Sequence, residues 1–113
     1  MKKLTLSLCI LLFFYGYGKA QTRRLISPEN LAMLKASKML TKDAAQYAPD
    51  EALKIYTELA SKGNGKAMNA IGNIYAMGIG RDSDNEEAIK WYKKASEAGY
   101  ARSWYNLGMM YKY

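Results

Sequence analysis

Apolar residues in this chain form one dense run followed by five stretches with helical spacing. Leu4 to Tyr15 is a mostly apolar run of 12 residues. Beyond it, apolar positions recur at intervals of three and four, as in a helix with one buried face. The first such stretch opens at Ser27-Pro28-Glu29: Ser27 as N-cap, Pro28 at the first helical position, Glu29 favourable toward the helix dipole. Leu31, Leu34, Ala36, Met39 and Leu40 form its apolar face, and a helix is predicted to about Thr41, where Lys42-Asp43 interrupts the pattern. The second starts near Pro49-Asp50-Glu51, carries Ala52, Leu53, Ile55, Tyr56, Leu59 and Ala60, and ends at Gly63, suited to a left-handed C-cap. The third, about Lys66–Met77, places Ala67, Ala70, Ile71, Ile74 and Tyr75 on one face and is broken by Gly78-Ile79-Gly80. The fourth opens at Asp84 with Glu87 three residues on, a capping-box arrangement, and carries Ala88, Ile89, Trp91, Tyr92 and Ala95 as far as Gly99. The fifth runs on from about Ala101. No segment alternates with period two over strand length, so the fold class is all-α.

The pattern also repeats. Laying Ala52–Met77 over Ala88–Tyr113 at an offset of 36 residues matches Ala52/Ala88, Lys54/Lys90, Tyr56/Tyr92, Gly63/Gly99, Gly72/Gly108 and Tyr75/Tyr111. Leu53/Ile89, Ala60/Ser96, Ile71/Leu107 and Ile74/Met110 keep size class or polarity. A fixed period of this length marks a helix-turn-helix solenoid (an α/α superhelix), whose units bury their apolar faces against their neighbours. About two and a half units are present. Glycine inside a helix costs about 1 kcal/mol relative to alanine. Gly72 and Gly108 are therefore expected to mark close helix–helix approach.

Composition changes the picture at the N-terminus. Met1-Lys2-Lys3, the apolar run, and the small residues before Ala20 have the layout of a secretory signal peptide cleaved after Ala20. The run is too short to span a bilayer, which takes about 20 residues. The expected organisation is a signal peptide at 1–20, a tether and degenerate capping helix at 21–48, and repeats at 49–113, the last incomplete. The expected location is the bacterial periplasm or the cell exterior. Cleavage removes Lys2, Lys3 and Lys19 from a formal charge of +7, leaving +4 spread along the chain. With no concentrated basic patch, dedicated nucleic-acid binding is not indicated. Stable membrane insertion after cleavage is not expected either. The chain has no histidine, and its one cysteine, Cys9, lies in the leader. His-based acid–base catalysis, Cys nucleophiles and soft-metal sites are thereby excluded, and no cofactor is implied. The carboxylate pairs Asp50-Glu51, Asp82/Asp84 and Glu86-Glu87 sit at or near helix N-termini, where the dipole accounts for them.

The string Ala88-Ile89-Lys90-Trp91-Tyr92-Lys93-Lys94-Ala95, then Gly99, then Asn106-Leu107-Gly108-Met109-Met110-Tyr111 resembles the Sel-one-like repeat of the tetratricopeptide-like superfamily. The earlier copy has the same frame in Ala52, Tyr56, Gly63, Ala67, Ile71-Gly72, Tyr75, Gly78 and Gly80. The resemblance implies a solenoid that acts as an adaptor or scaffold for a protein or peptide partner, not as an enzyme. It also implies that the helices bearing the Ile/Leu-Gly-x-x-Tyr pattern line a concave face. The residues there not needed for packing are Lys66, Asn69 and Asn73 in one copy and Arg102, Tyr105, Met109 and Lys112 in the next. Carboxamides can pair with an extended backbone, and Lys or Arg with a carboxylate. The alternative is an envelope-associated enzyme or cell-wall ligand-binding protein with a site between helices. By the 36-residue frame, Trp104, Leu107, Met110 and Tyr111 are expected to lack part of their cover, with self-association or partner docking through the last helix as one consequence and a shortened longer gene as the other reading.

Overall fold

The computed structural model describes residues 27–112. The expected signal peptide and the tether at 21–26 lie outside the described residues. Among those described there are five helices and no strand: α1 (Pro28–Met39), α2 (Pro49–Ser61), α3 (Gly65–Met77), α4 (Asn85–Glu97) and α5 (Arg102–Lys112).

The helix ends follow from local chemistry. Ser27 caps α1, its Oγ accepting from the Asn30 N–H at 3.1 Å. Pro49 opens α2 with no side-chain cap. Gly63, one residue beyond the C-cap Lys62, takes φ 88°, which glycine adopts without a Cβ penalty. Asn64, which the apolar pattern does not single out, caps α3 through a 3.0 Å bond from the Ala67 N–H. Asp84 caps α4 by accepting from the Glu87 N–H at 3.1 Å. The return half of the expected capping box is not made. The Asp84 N–H donates instead to the Tyr75 carbonyl at 2.8 Å, and the Glu87 carboxylate lies 3.7 Å from Lys90.

Ala32–Tyr113 forms one compact unit. The stretch up to Leu31 is separate, and of it only Ser27–Leu31 is described. Within the larger unit α2 and α3 form one antiparallel pair and α4 and α5 the next, while α3 packs most extensively against α4. The main core gathers Met33, Ala36, Ala52, Tyr56, Leu59, Ala60, Ala67, Ile71 and Ile74. A second cluster of Ala88, Tyr92 and Leu107 is bordered by Tyr75, Ala76, Ile89 and Met110. The alanines at equivalent positions, Ala52 and Ala88, are both fully buried, because a methyl group is what fits where two helix backbones approach.

The face of α1 differs from expectation. Met33 and Ala36 are buried, whereas Leu34 is 53% exposed and Leu31 56% exposed. Leu34 sits one residue, about 100° of helix rotation, from Met33, so the helix cannot turn both toward one neighbour. The loop after α3 is tied back to the start of α2. Gly80, at φ 71°, lies so close to Pro49 that a Cβ there would be 2.4 Å from the proline Cγ. Arg81 donates to Asp50 at 2.9 Å and lies 5.4 Å above the Tyr75 ring.

Candidate functional site

The expected concave residues divide into two groups once placed on α3 and α5. Asn69 is only 5% exposed, and its Oδ1 accepts from Asn106 Nδ2 at 2.9 Å, a bond that joins the two helices across 37 residues of sequence. Asn73 is half-buried and its Oδ1 accepts from the Tyr92 hydroxyl at 2.6 Å. Both carboxamide oxygens therefore serve the fold. A buried amide that lost such a partner would carry a desolvation penalty of about 1–3 kcal/mol.

Lys66, Arg102, Tyr105, Met109 and Lys112 are exposed. Lys66 and Arg102 occupy equivalent positions in the 36-residue frame, each in the first turn of its helix. Tyr105, 68% exposed, and Met109 stand one turn apart on α5 and give it an apolar strip. The Asn69–Asn106 bond joins α3 to α5, whose strip follows Arg102 on the same helix, with Lys66 at the equivalent position of α3. Positive charge next to a flat ring and a flexible thioether suits a protein segment that carries a carboxylate and apolar side chains. Asn106 was missed from sequence because its counterpart is Ala70, so the repeat frame gives no signal there.

Tyr92 is the residue around which the repeat closes. Its ring lies against Gly72, where an added Cβ would stand 2.5 Å from Cε1. Its hydroxyl reaches Asn73. Burial raises its pKa above the ordinary 10.0, and burial does the same for Tyr56. Both phenols are thus held neutral and are packing groups. The expected close approach at Gly72 is realised; at Gly108 an added Cβ would meet nothing within 4 Å among the described residues. Of the four residues expected to lack cover, Trp104 and Tyr111 are each 64% exposed, Met110 is half-buried and Leu107 is buried. Leu107 is covered because it joins Ala88 and Tyr92 in the second cluster.

In the second repeat, Ser96 and Ser103 take the places of Ala60 and Ala67, and their hydroxyls meet at 2.9 Å. Ser96 Oγ also lies within hydrogen-bond reach of the Tyr92 carbonyl and Ser103 Oγ of the Tyr100 carbonyl, so the two protons of this buried pair are shared among three contacts in the α4–α5 turn. An open groove of roughly 360 Å³ is lined by Leu40, Lys42, Tyr47, Met77 and the Gly78-Ile79-Gly80 turn.

The Sel1 repeat family model matches residues 65–100. That span covers α3, the loop that follows it, and α4, the helix pair closed by Tyr92 on Gly72. Protein sel-1 homolog 2 of Mus musculus is 37% identical over 60 residues, which is 53% of this chain and 9% of the relative. The same protein of Homo sapiens matches to the same extent. The ERAD-associated E3 ubiquitin-protein ligase component HRD3A of Arabidopsis thaliana is 40% identical over 63 residues, 55% of this chain and 9% of the relative. This chain therefore spans about a tenth of the length of these relatives. No solved structure matches it. Sel1 repeats generally mediate protein–protein contact, and the proteins that carry them are generally non-catalytic adaptors. Residues 65–100 thus match the Sel1 repeat, and about half of the chain is similar to Sel1-like proteins.

Proposed function

We propose that this chain is an exported protein-interaction module that holds its partner against the exposed side of α3 and α5. The observation that carries the reading is the strip of Tyr105 and Met109 together with Lys66 and Arg102, on two helices locked together by Asn69 and Asn106. A rigid backbone with exposed anchors binds at a lower entropic cost than a flexible one. The partner is a protein segment with acidic and apolar side chains. An Arabidopsis relative named as a component of a ubiquitin-protein ligase is in keeping with a part that works inside an assembly.

Capture from envelope extracts tests the site. Arg102→Ala and Tyr105→Ala are expected to lose the partner that the unaltered chain retains, and undiminished capture by both would discard this face. Asn73→Ala is not the variant of choice, because it removes the acceptor of Tyr92. Export rests on the cationic start, the apolar run and the small residues before Ala20. The first residue of protein recovered from the periplasm or medium is expected to be Gln21, and a chain retained with Met1 in the cytosol would overturn it.

A further inference from the structure

We propose that the Asn64-Gly65 peptide is a site of spontaneous deamidation that the fold holds shut, so that isoaspartate at position 64 marks a chain whose α2–α3 turn has opened. Of the six asparagines in the sequence, only Asn64 precedes a glycine. The reaction needs no partner but water. The Gly65 backbone nitrogen attacks Asn64 Cγ and a C–N bond forms. The carboxamide nitrogen leaves as ammonia, taking up the proton that Gly65 gives up. Water then opens the cyclic imide. Cleavage of its bond to Cγ gives aspartate. Cleavage at the main-chain carbonyl gives isoaspartate, with the backbone routed through the side chain. Glycine has no side chain to shield its nitrogen, and it gives the unfolded chain wide freedom to reach the ring-closing geometry. Gly63 extends that freedom to the other side of Asn64.

In the folded chain the nucleophile is not occupied, because Gly65 is the first residue of α3 and its N–H has no partner within the helix. Geometry is what stops the reaction. Asn64 holds ψ 101°, in the extended region. At this angle its carbonyl oxygen, not the Gly65 nitrogen, stands on the Cβ side, so Cγ and its nucleophile are turned apart. Three hydrogen bonds keep them so. Oδ1 accepts from the Ala67 N–H at 3.0 Å, the Asn64 N–H donates to the Leu59 carbonyl at 3.2 Å, and the Asn64 carbonyl accepts from the Met68 N–H at 3.2 Å. The bond that caps α3 thus also withdraws the carboxamide from attack.

The two products act differently on the turn. Aspartate caps a helix as well as asparagine does, and α3 has no acidic residue in its first turn to oppose the new charge. Isoaspartate lengthens the backbone where there is no room. A Cβ at Gly65 would already stand 3.1 Å from Tyr100 Cβ and 3.2 Å from Ala98 Cβ, in the α4–α5 turn. Isoaspartate therefore keeps the α2–α3 turn from closing again, and the opening is recorded one way. The second repeat has Tyr100 at the place of Asn64 and carries no such site.

Peptide mapping by mass spectrometry reads the site in the full chain, aged in mildly alkaline buffer with and without guanidinium chloride. A protease that cuts at aspartate but not at isoaspartate tells the products apart. Conversion at Asn64 is expected to be roughly tenfold faster or more in denaturant, where opening of the turn no longer costs free energy. It is also expected to precede conversion at the other five asparagines. A synthetic peptide of residues 59–70 is expected to convert at one rate in both media, which excludes an effect of the solvent on the chemistry. After removal of denaturant and size-exclusion chromatography, isoaspartate is expected in the fraction that fails to regain helicity and aspartate in the refolded one. Asn64→Asp is expected to keep the thermal midpoint of the unaltered chain. Equal rates for the full chain in both media, or an unconverted Asn64 in denaturant, would overturn the site or its gate. Isoaspartate as abundant as aspartate in the refolded fraction, or a lowered midpoint for Asn64→Asp, would overturn the one-way record.

Discussion

A methyl group added at Gly72 stands 2.5 Å from Cε1 and 2.6 Å from Cδ1 of Tyr92, well inside van der Waals contact. Gly72→Ala is therefore expected to destabilise the protein by about 1–3 kcal/mol, despite the better helix propensity of alanine. Gly108→Ala meets nothing and is expected to stabilise it by up to about 1 kcal/mol. Urea unfolding followed by circular dichroism reads both, and equal effects would remove the distinction. The same ring carries a pH dependence. Burial raises the pKa of Tyr92 and Tyr56 in the folded chain above the ordinary 10.0. The unfolded chain therefore loses these protons first as pH rises. Their stabilisation is present below about pH 10 and is lost as pH climbs through the folded values. Tyr92→Phe is expected to flatten the fall in thermal midpoint above pH 10 while lowering stability at neutral pH by about 0.5–1.5 kcal/mol, through loss of the bond to Asn73. The sequence marks Gly72 and Gly108 alike. Which of them is filled depends on the helix that lies against it.

At the scale of the element, the helix starts are the most legible part of the chain, because a cap acts within three residues. Ser27 and Asp84 perform the roles their sequence positions indicate. Asp84→Ala and Asn64→Ala are each expected to cost about 0.5–2 kcal/mol in thermal unfolding. Glu87→Ala is expected to cost less than about 0.5 kcal/mol, since its carboxylate makes no return bond to the cap. A loss as large as that of Asp84→Ala would restore the full capping box. The missing half has a tertiary cause: the Asp84 N–H is already taken by the carbonyl of Tyr75, at the end of the preceding helix. The turned face of α1 has the same origin. Its pattern offers Leu31 and Leu34 for burial and passes over Met33, which only the packing partner selects. Asn64 is a cap that a search for apolar spacing passes over, although its position before α3 carries the local signal.

For the whole molecule, place in the array sets how much each core residue matters. Ile74 is fully buried in the main core, while Leu107 is 9% exposed in the smaller second cluster. Ile74→Ala is expected to cost about 2–5 kcal/mol, and Leu107→Ala to fall at the lower end of that range. Chemical denaturation of the two variants checks the order, and the reverse order would deny the array its central position at α3.

The sequence alone determined the helices, their starts and the 36-residue frame, because propensity, capping and apolar spacing are local and repeat with the chain. It also excluded histidine chemistry by composition. The tertiary structure decided what the frame leaves equivalent. It drew Asn69 and Asn73 inward, brought in Asn106 as a partner, and filled the notch at Gly72 while no described residue fills the one at Gly108. Those choices depend on which helix lies against which face, and a repeating sequence assigns the same residues to a covered face and an uncovered one.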